Sequence, residues 1–198
     1  HSHLMLLCEK LKSPMVIALR GKEFLEYDNP YNAGLTGLIG YSSGYHAIMD
    51  CDVLLMLGTD FPYRQFYPDD AVILQVDVRA EHLGRRAALT YGLCGDVKET
   101  ISQLLPLLTD VKDSSHLEKY VSAYKNVRED LDKFAVGKPG RTPIHPQYLT
   151  KVVSDLASED AIFTCDVGTP TLWSARYLQM NGKRRLLGSF NHGTMANA

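Results

Sequence analysis

Apolar residues recur at helical spacing from Leu4 to Leu11, and the pattern then switches to a continuous run over Pro14 to Leu19, the signature of a strand buried on both faces. A polar, glycine-rich loop follows. Beyond it the pattern predicts a helix around Tyr45 to Met49, a strand over Asp52 to Leu57, a loop rich in aromatic residues and a strand over Ala71 to Val76. A turn near Glu81 to Gly84 leads to a short strand over Leu89 to Leu93. Asp96, a favoured N-cap residue, then opens a helix through Leu108 that carries Lys98 and Glu99 on its wet face. Helices alternating with such apolar strands predict an α/β fold: a three-layer, Rossmann-like parallel sheet covered on both faces.

From Ser114 to Val136 a long charged helix is expected, with Leu117, Tyr120, Val121, Tyr124, Val127 and Leu131 forming one apolar stripe. The stretch from Gly137 to Pro143 concentrates turn formers and charge, so residues 1–136 read as one domain, 137–143 as a linker and 144–198 as the incomplete start of a second α/β domain. That second part predicts a helix over Pro146 to Leu156, a strand over Ala161 to Thr164, a loop at Asp166-Val167-Gly168, a helix near Leu172 to Met180 and a strand over Arg185 to Gly188. After the last strand comes a turn containing Gly193, then small residues up to Ala198 that would begin a helix. Such a turn suits a ligand at the carboxyl end of a parallel strand. With no element after it, and no initiator Met or signal pattern at His1, the sequence reads as cut from a longer chain.

Composition narrows the functional classes. Of 198 residues 45% are hydrophobic and 22% charged, enough for a core, and the net charge of -2 supplies no basic face for nucleic acid. The apolar runs are far shorter than the roughly 20 residues that span a bilayer. Cys8, Cys51, Cys94 and Cys165 are scattered with no C-x-x-C pair, and three lie in or beside apolar runs, which favours small buried thiols and a cytoplasmic setting.

Gly34 to Gly40 has the spacing G-x-x-G-x-x-G before a helix, which serves equally as a phosphate cradle or as a structural loop; it does not follow directly from a predicted strand. Asp77 ends a strand where it could accept a ribose hydroxyl or simply stabilise a turn, and Asp96 reads first as a helix cap. The loop Gly58-Thr59-Asp60-Phe61-Pro62-Tyr63-Arg64 offers an aromatic wall and a guanidinium, suited to a planar ring or a diphosphate. Polar residues at three strand ends together favour a nucleotide-like ligand. His46, His82, His116 and His145 lack metal-ligand spacing and read as surface or structural residues, and no G-x-S-x-G nucleophile motif occurs.

Several motifs together resemble the thiamine-diphosphate-dependent pyruvate oxidase family, above all its quinone-dependent pyruvate dehydrogenase branch. They are Leu19-Arg20-Gly21-Lys22-Glu23, Glu26-Tyr27-Asp28-Asn29-Pro30-Tyr31, the Gly34 to Gly40 loop, Phe61-Pro62-Tyr63-Arg64, Ile144-His145-Pro146-Gln147-Tyr148, Phe163 to Thr171 and Met180 to Arg185. The resemblance implies the central FAD-binding domain and the beginning of the diphosphate-binding domain. It implies that Thr36, Gly37, Leu38, Ile39, Thr59, Asp60, Phe61, Pro62, Tyr63 and Arg64 line FAD, with Asp77 and Asp96 near its adenosine half. By the same resemblance Val167 and Gly168 border the diphosphate of thiamine diphosphate, and Gly193, Thr194 and Met195 meet its pyrimidine. The whole enzyme would oxidise pyruvate to acetate and carbon dioxide, using Mg2+ with the thiamine cofactor and passing electrons through FAD to a quinone. It would be a homotetramer whose peripheral contact with the cytoplasmic face of a membrane lies in a segment absent here. The catalytic set and the metal motif would also lie elsewhere, so this chain alone is expected to be inactive. The alternatives are an acetolactate synthase-like or other 2-oxo acid decarboxylase, and a non-catalytic nucleotide-binding or scaffold module.

Overall fold

Strands β3 (Val53–Leu57), β4 (Val72–Asp77) and β5 (Tyr91–Cys94) pair in that order, and both pairs are parallel. The register aligns Leu57 with Val76 and Asp77 with Cys94, so all three strands deliver the chain to one edge. This computed structural model describes residues 1–195. Met56, Ile73 and Tyr67 form the core beneath that sheet, with Leu54, Phe61, Ala87 and Leu89 packed around it. The fold is the expected Rossmann-like α/β arrangement with parallel strands. Coverage is uneven: every residue of β5 is exposed, because that strand is an edge with one neighbour among the described residues.

The glycine-rich stretch after β1 (Met15–Ile17) is more structured than its composition suggests. It holds a 3-10 turn at Leu19–Gly21, helix α2 (Lys22–Leu25) and strand β2 (Asn32–Leu35), which pairs parallel to β1. Asn and Gly are poor strand formers, yet all four residues of β2 are buried and Ala33 is wholly inaccessible. Tertiary burial overrides propensity here. The Gly34 to Gly40 loop therefore does leave a strand, correcting the sequence reading.

Helix α3 (Ser42–Met49) lies tight against β2. The Ser43 hydroxyl donates to the Ala33 carbonyl at 2.9 Å, and a Cβ on Gly44 would stand 2.4 Å from the Leu35 carbonyl oxygen. Ala33, Ala47 and Tyr120 form the core between these elements. Tyr120 comes from α5 (Ser115–Phe134), and its hydroxyl, with Lys119 at 3.1 Å, meets the Asp50 carboxylate at the end of α3. Those two partners hold Asp50 below the usual carboxylate range.

Helix α1 (Ser2–Leu11) precedes β1, and α4 (Val97–Leu104) follows β5. Asp96 caps α4, accepting from the Glu99 amide at 3.0 Å. The helix tightens into a 3-10 turn at Leu105–Leu107 instead of continuing to Leu108, since Pro106 cannot sit in a helix interior.

Packing separates two compact units, residues 1–18 with 30–124, and residues 19–29 with 125–198. The stretch 137–143 lies within the second unit. That unit holds α6 (Pro146–Leu156), β6 (Ile162–Thr164), α7 (Thr169–Tyr177) and β7 (Arg185–Leu187), with β6 and β7 parallel. Helix α7 begins and ends three residues earlier than its apolar pattern implies, because Gly168 forms its N-cap and Pro170 fits its first turn. Cys165, Leu178, Met180 and Leu186 make the core, and Leu19 of the early segment packs against it. All four cysteines are free; Cys8 and Cys165 are buried, Cys51 is half-buried and Cys94 is exposed. Burial pushes the Cys8 thiol up to about 12. No helix among the described residues is long and apolar enough to cross a membrane.

The α3–β2 contact yields a test. Gly44→Ala gains about 1 kcal/mol of helix propensity but forces a methyl group into the Leu35 main chain, an overpacking cost of about 1–3 kcal/mol that relief by backbone displacement cannot fully remove. The expected outcome is a lower urea midpoint for the variant; a midpoint at or above the parent's would show that α3 can move off β2.

Candidate functional site

In the first unit the parallel register gathers the predicted residues at the carboxyl edge of the sheet. The Gly58 amide donates to Val76 and the Gly95 amide to Asp77, both at 2.9 Å, so the ladders continue one residue past the strands before the loops diverge. Gln75 is buried and bridges two of these loops: its side-chain amide donates to the Thr59 carbonyl at 3.3 Å and its oxygen accepts from the Gly84 amide at 3.1 Å.

The loop after β3 folds into an aromatic wall. The Tyr67 hydroxyl donates to the Phe61 carbonyl at 2.7 Å, and Phe61 packs edge-on against Tyr63 and Phe66 with ring centres 5.5 and 6.0 Å apart. Burial pushes Tyr67 up to about 12, so this hydroxyl remains a donor. The wall meets the loop after β2: a Cβ on Gly37, whose φ is +88°, would lie 2.7 Å from the Phe61 ring. Thr36 and Gly37 are thus brought to Phe61 and Tyr63. Leu38 beside them is exposed, as are Pro62, Tyr63 and Arg64, while Ile39 is half-buried. The Thr36 hydroxyl oxygen is buried and has no hydrogen-bond partner among the described residues.

The acidic residues are more committed than the sequence suggested. Asp60 receives Arg86 through two nitrogens, at 2.8 and 3.1 Å, and Arg85 at 3.2 Å. Arg86 foremost holds its carboxyl below the usual range. Asp77 is buried, accepting the Arg79 amide at 2.9 Å on one oxygen and facing the His82 ring at 3.3 Å with the other. It therefore stabilises its turn, with unused lone pairs left for a further donor. Asp96 is occupied by its cap. Arg64 reaches the Arg85 carbonyl at 3.5 Å.

Sequence reasoning passed over Gln75, Arg85 and Arg86 and left His82 as an ordinary surface or structural residue. A Gly-Arg-Arg run after a turn was the one local trace; its partner Asp60 lies 25 and 26 residues away.

In the second unit, the loops after β6 and β7 meet. The Val167 amide donates to the Thr194 carbonyl at 3.1 Å, and the Thr194 hydroxyl donates to Ser189 at 3.1 Å. Gly168 caps α7 without a side-chain hydrogen bond, leaving that helix end to other acceptors. Gly193 has a φ of +61° and open space where a Cβ would point, and Met195 is exposed. The helix start expected at Ala196 to Ala198 lies outside the described residues. Among those described, no group of His, Cys, Asp and Glu side chains could hold a metal ion.

Comparison with known proteins finds that residues 1–104 match the family described as thiamine pyrophosphate enzyme, central domain. The chain belongs to that family. The thiamine pyrophosphate enzyme central domain so defined contains every residue of the first-unit edge described above. An uncharacterized 42.6 kDa protein encoded beside an isoamylase gene in Pseudomonas amyloderamosa is 56% identical over 72% of this chain and 36% of its own length. A Bacillus subtilis protein, YdaP, provisionally named as thiamine pyrophosphate-containing, is 31% identical over 94% of the chain and 32% of its own length. The acetolactate synthase large subunit of Porphyra purpurea is 28% identical over 99% of the chain and 35% of its own length. The chain spans about a third of the length of these curated relatives.

The Asp60 latch has a pH signature. Because the folded carboxyl is depressed, its stabilisation is fully present above the unfolded value near ~4 and is lost as pH falls through the lower folded value. Asp60→Asn is expected to cost about 1–2 kcal/mol at neutral pH, with the gap to the parent closing below about pH 4. Denaturation midpoints across pH check this, and a gap independent of pH would exclude a charged latch.

Proposed function

We propose that this chain belongs to a thiamine-diphosphate-dependent enzyme of 2-oxo acid metabolism that joins the two-carbon unit from pyruvate decarboxylation to a second 2-oxo acid, as an acetolactate synthase does. The observation that carries the choice is the alignment of an acetolactate synthase large subunit with 99% of the chain. The motifs that resemble pyruvate oxidases favour instead oxidation of pyruvate to acetate with electrons leaving through FAD to a quinone. The two readings share their cofactor sites and differ in product.

FAD fits the edge of the first unit. The buried, unpartnered Thr36 hydroxyl can donate to it, and Gly37 lets the main chain approach beside Phe61. Leu38, Ile39, Pro62 and Tyr63 offer apolar surface to a planar ring, with the Thr59 and Asp60 main chain below. Arg64 supplies positive charge for a diphosphate, and Asp77 has lone pairs for a ribose hydroxyl. Thiamine diphosphate fits the second unit, with Val167, Gly168 and the start of α7, which has no side-chain cap, receiving its diphosphate and the turn at Gly193, Thr194 and Met195 its pyrimidine. When bound, that cofactor supplies the nucleophilic carbon that releases carbon dioxide from a 2-oxo acid. The residues here bind and orient.

The test is product analysis of the full-length protein carrying this chain, supplied with pyruvate, thiamine diphosphate and Mg2+. Acetolactate formed without an electron acceptor is the expected result. Acetate formed only with a quinone, together with bleaching of flavin absorbance, would replace this reading by the oxidative one, and neither product would remove both. For the cofactor itself, residues 1–198 are expected to quench flavin fluorescence saturably and to turn over no pyruvate. Gly37→Ala should weaken that binding by about tenfold or more, since its methyl group meets the Phe61 ring and its φ is positive. Equal binding by the variant would place the flavin elsewhere.

A further inference from the structure

Strand β7 has one edge on β6 and one edge facing away from it. The Arg185 amide donates to Ala161 at 3.0 Å and the Leu187 carbonyl accepts from Cys165 at 3.1 Å, both on the β6 side. Alternation therefore turns the Leu186 amide to the outer edge. There it meets no strand among the described residues. It donates at 3.0 Å to one carboxylate oxygen of Glu23, and the other oxygen pairs with the Arg185 guanidinium. Leu186 is buried and the Glu23 side chain is only 10% exposed, so this amide is withdrawn from water and depends on that acceptor.

Contacts made by its neighbours hold the segment around Glu23 in place. Leu19 packs into the core of Cys165, Leu178, Met180 and Leu186. Glu26 accepts the Met180 amide at 2.9 Å and pairs with the buried Lys22 ammonium. The Arg20 guanidinium lies 5.9 Å from the centre of the Phe190 ring, and that ring covers Gly188, where a Cβ would come within 2.6 Å of it. Gly188 and Phe190 are the first and third residues beyond β7, and the turn they begin ends with the Thr194 carbonyl on the Val167 amide.

We infer that Glu23 is a positioning residue for the turn after β7: its carboxylate closes the outer edge of that strand in place of a neighbouring strand, and so fixes where Gly193, Thr194 and Met195 are presented. The consequence for cofactor binding rests on the reading of that turn as part of the thiamine diphosphate site. Removing the carboxylate leaves a buried amide unpaired, whereas glutamine keeps one acceptor oxygen for it and loses only the ion pair.

The experiment compares Glu23→Ala and Glu23→Gln with the parent in the full-length protein, reading amide hydrogen exchange at Leu186, Gly193 and Thr194, thiamine diphosphate affinity and flavin affinity. Glu23→Ala is expected to speed exchange at Leu186 and in the turn by about tenfold and to weaken thiamine diphosphate by about fivefold or more, with Glu23→Gln between it and the parent. Flavin affinity, which belongs to the first unit, should stay within about twofold, and saturating thiamine diphosphate should restore kcat; a general loss of structure would move both. Parent-like exchange in the turn, or parent-like thiamine diphosphate affinity in Glu23→Ala, overturns the assignment. If the parent binds no thiamine diphosphate, the cofactor reading of the turn fails, and exchange at Gly193 and Thr194 still decides whether Glu23 positions it.

Discussion

A parallel sheet has a direction that an antiparallel one lacks: every strand enters from one side and leaves at the other. That constraint makes β3, β4 and β5 release Gly58, Asp77 and Gly95 along a common edge although these residues are far apart in sequence. The rest of the first-unit site depends on it. Once the loops share an edge, Gln75 can bridge two of them, Asp60 can receive Arg85 and Arg86, and the aromatic wall can stand against Gly37. Polar groups thus fix the outer layer while Met56, Ile73 and Tyr67 hold the layer below.

Features governed by local chemistry were legible in the sequence. Asp96 before a helical pattern is a cap, Pro146 begins a helix, and uninterrupted runs such as Val53 to Leu57 are parallel strands, although within that run Met56 is buried and Val53 stays exposed. Features governed by distant partners were not. Nothing in Asn32-Ala33-Gly34-Leu35 favours a strand; burial beneath α3 decides it. Nor does the pattern around Glu23 reveal a carboxylate that serves a strand 163 positions later. The candidate site divides the same way. The loops that form it could be named from glycines and strand ends, but the ion pairs that hold Asp60 depend on Arg85 and Arg86 arriving from the next connection, and the hold on Asp77 depends on how the turn that follows it folds His82 back.

Membership of the thiamine pyrophosphate enzyme family sets limits on what these residues do. On the proposed reading both edges would orient cofactors more than transfer protons: the carboxylates at the first-unit edge have partners, and the loop after β7 offers main-chain groups and an exposed Met195. Chemistry of this kind can be redirected without rebuilding the fold, because the same presentation of a thiamine cofactor serves either carbon–carbon bond formation or electron transfer, depending on what meets it. On the proposed reading, the choice between acetolactate and acetate would rest on groups that approach these edges, and less on the edges themselves.

The early segment 19–29 gives the second unit an unusual history during synthesis. Its residues leave the ribosome long before residues 125–198, so Lys22 can meet Glu26 one turn away at once while Glu23 waits for a partner that is made much later. Only when β7 emerges can Glu23 find the Leu186 amide, and until then neither group has its final partner. High sequence separation makes such closure late and slow relative to the local helices. Completion of the second unit consequently waits for its last strand, a late closure written into the path of the chain.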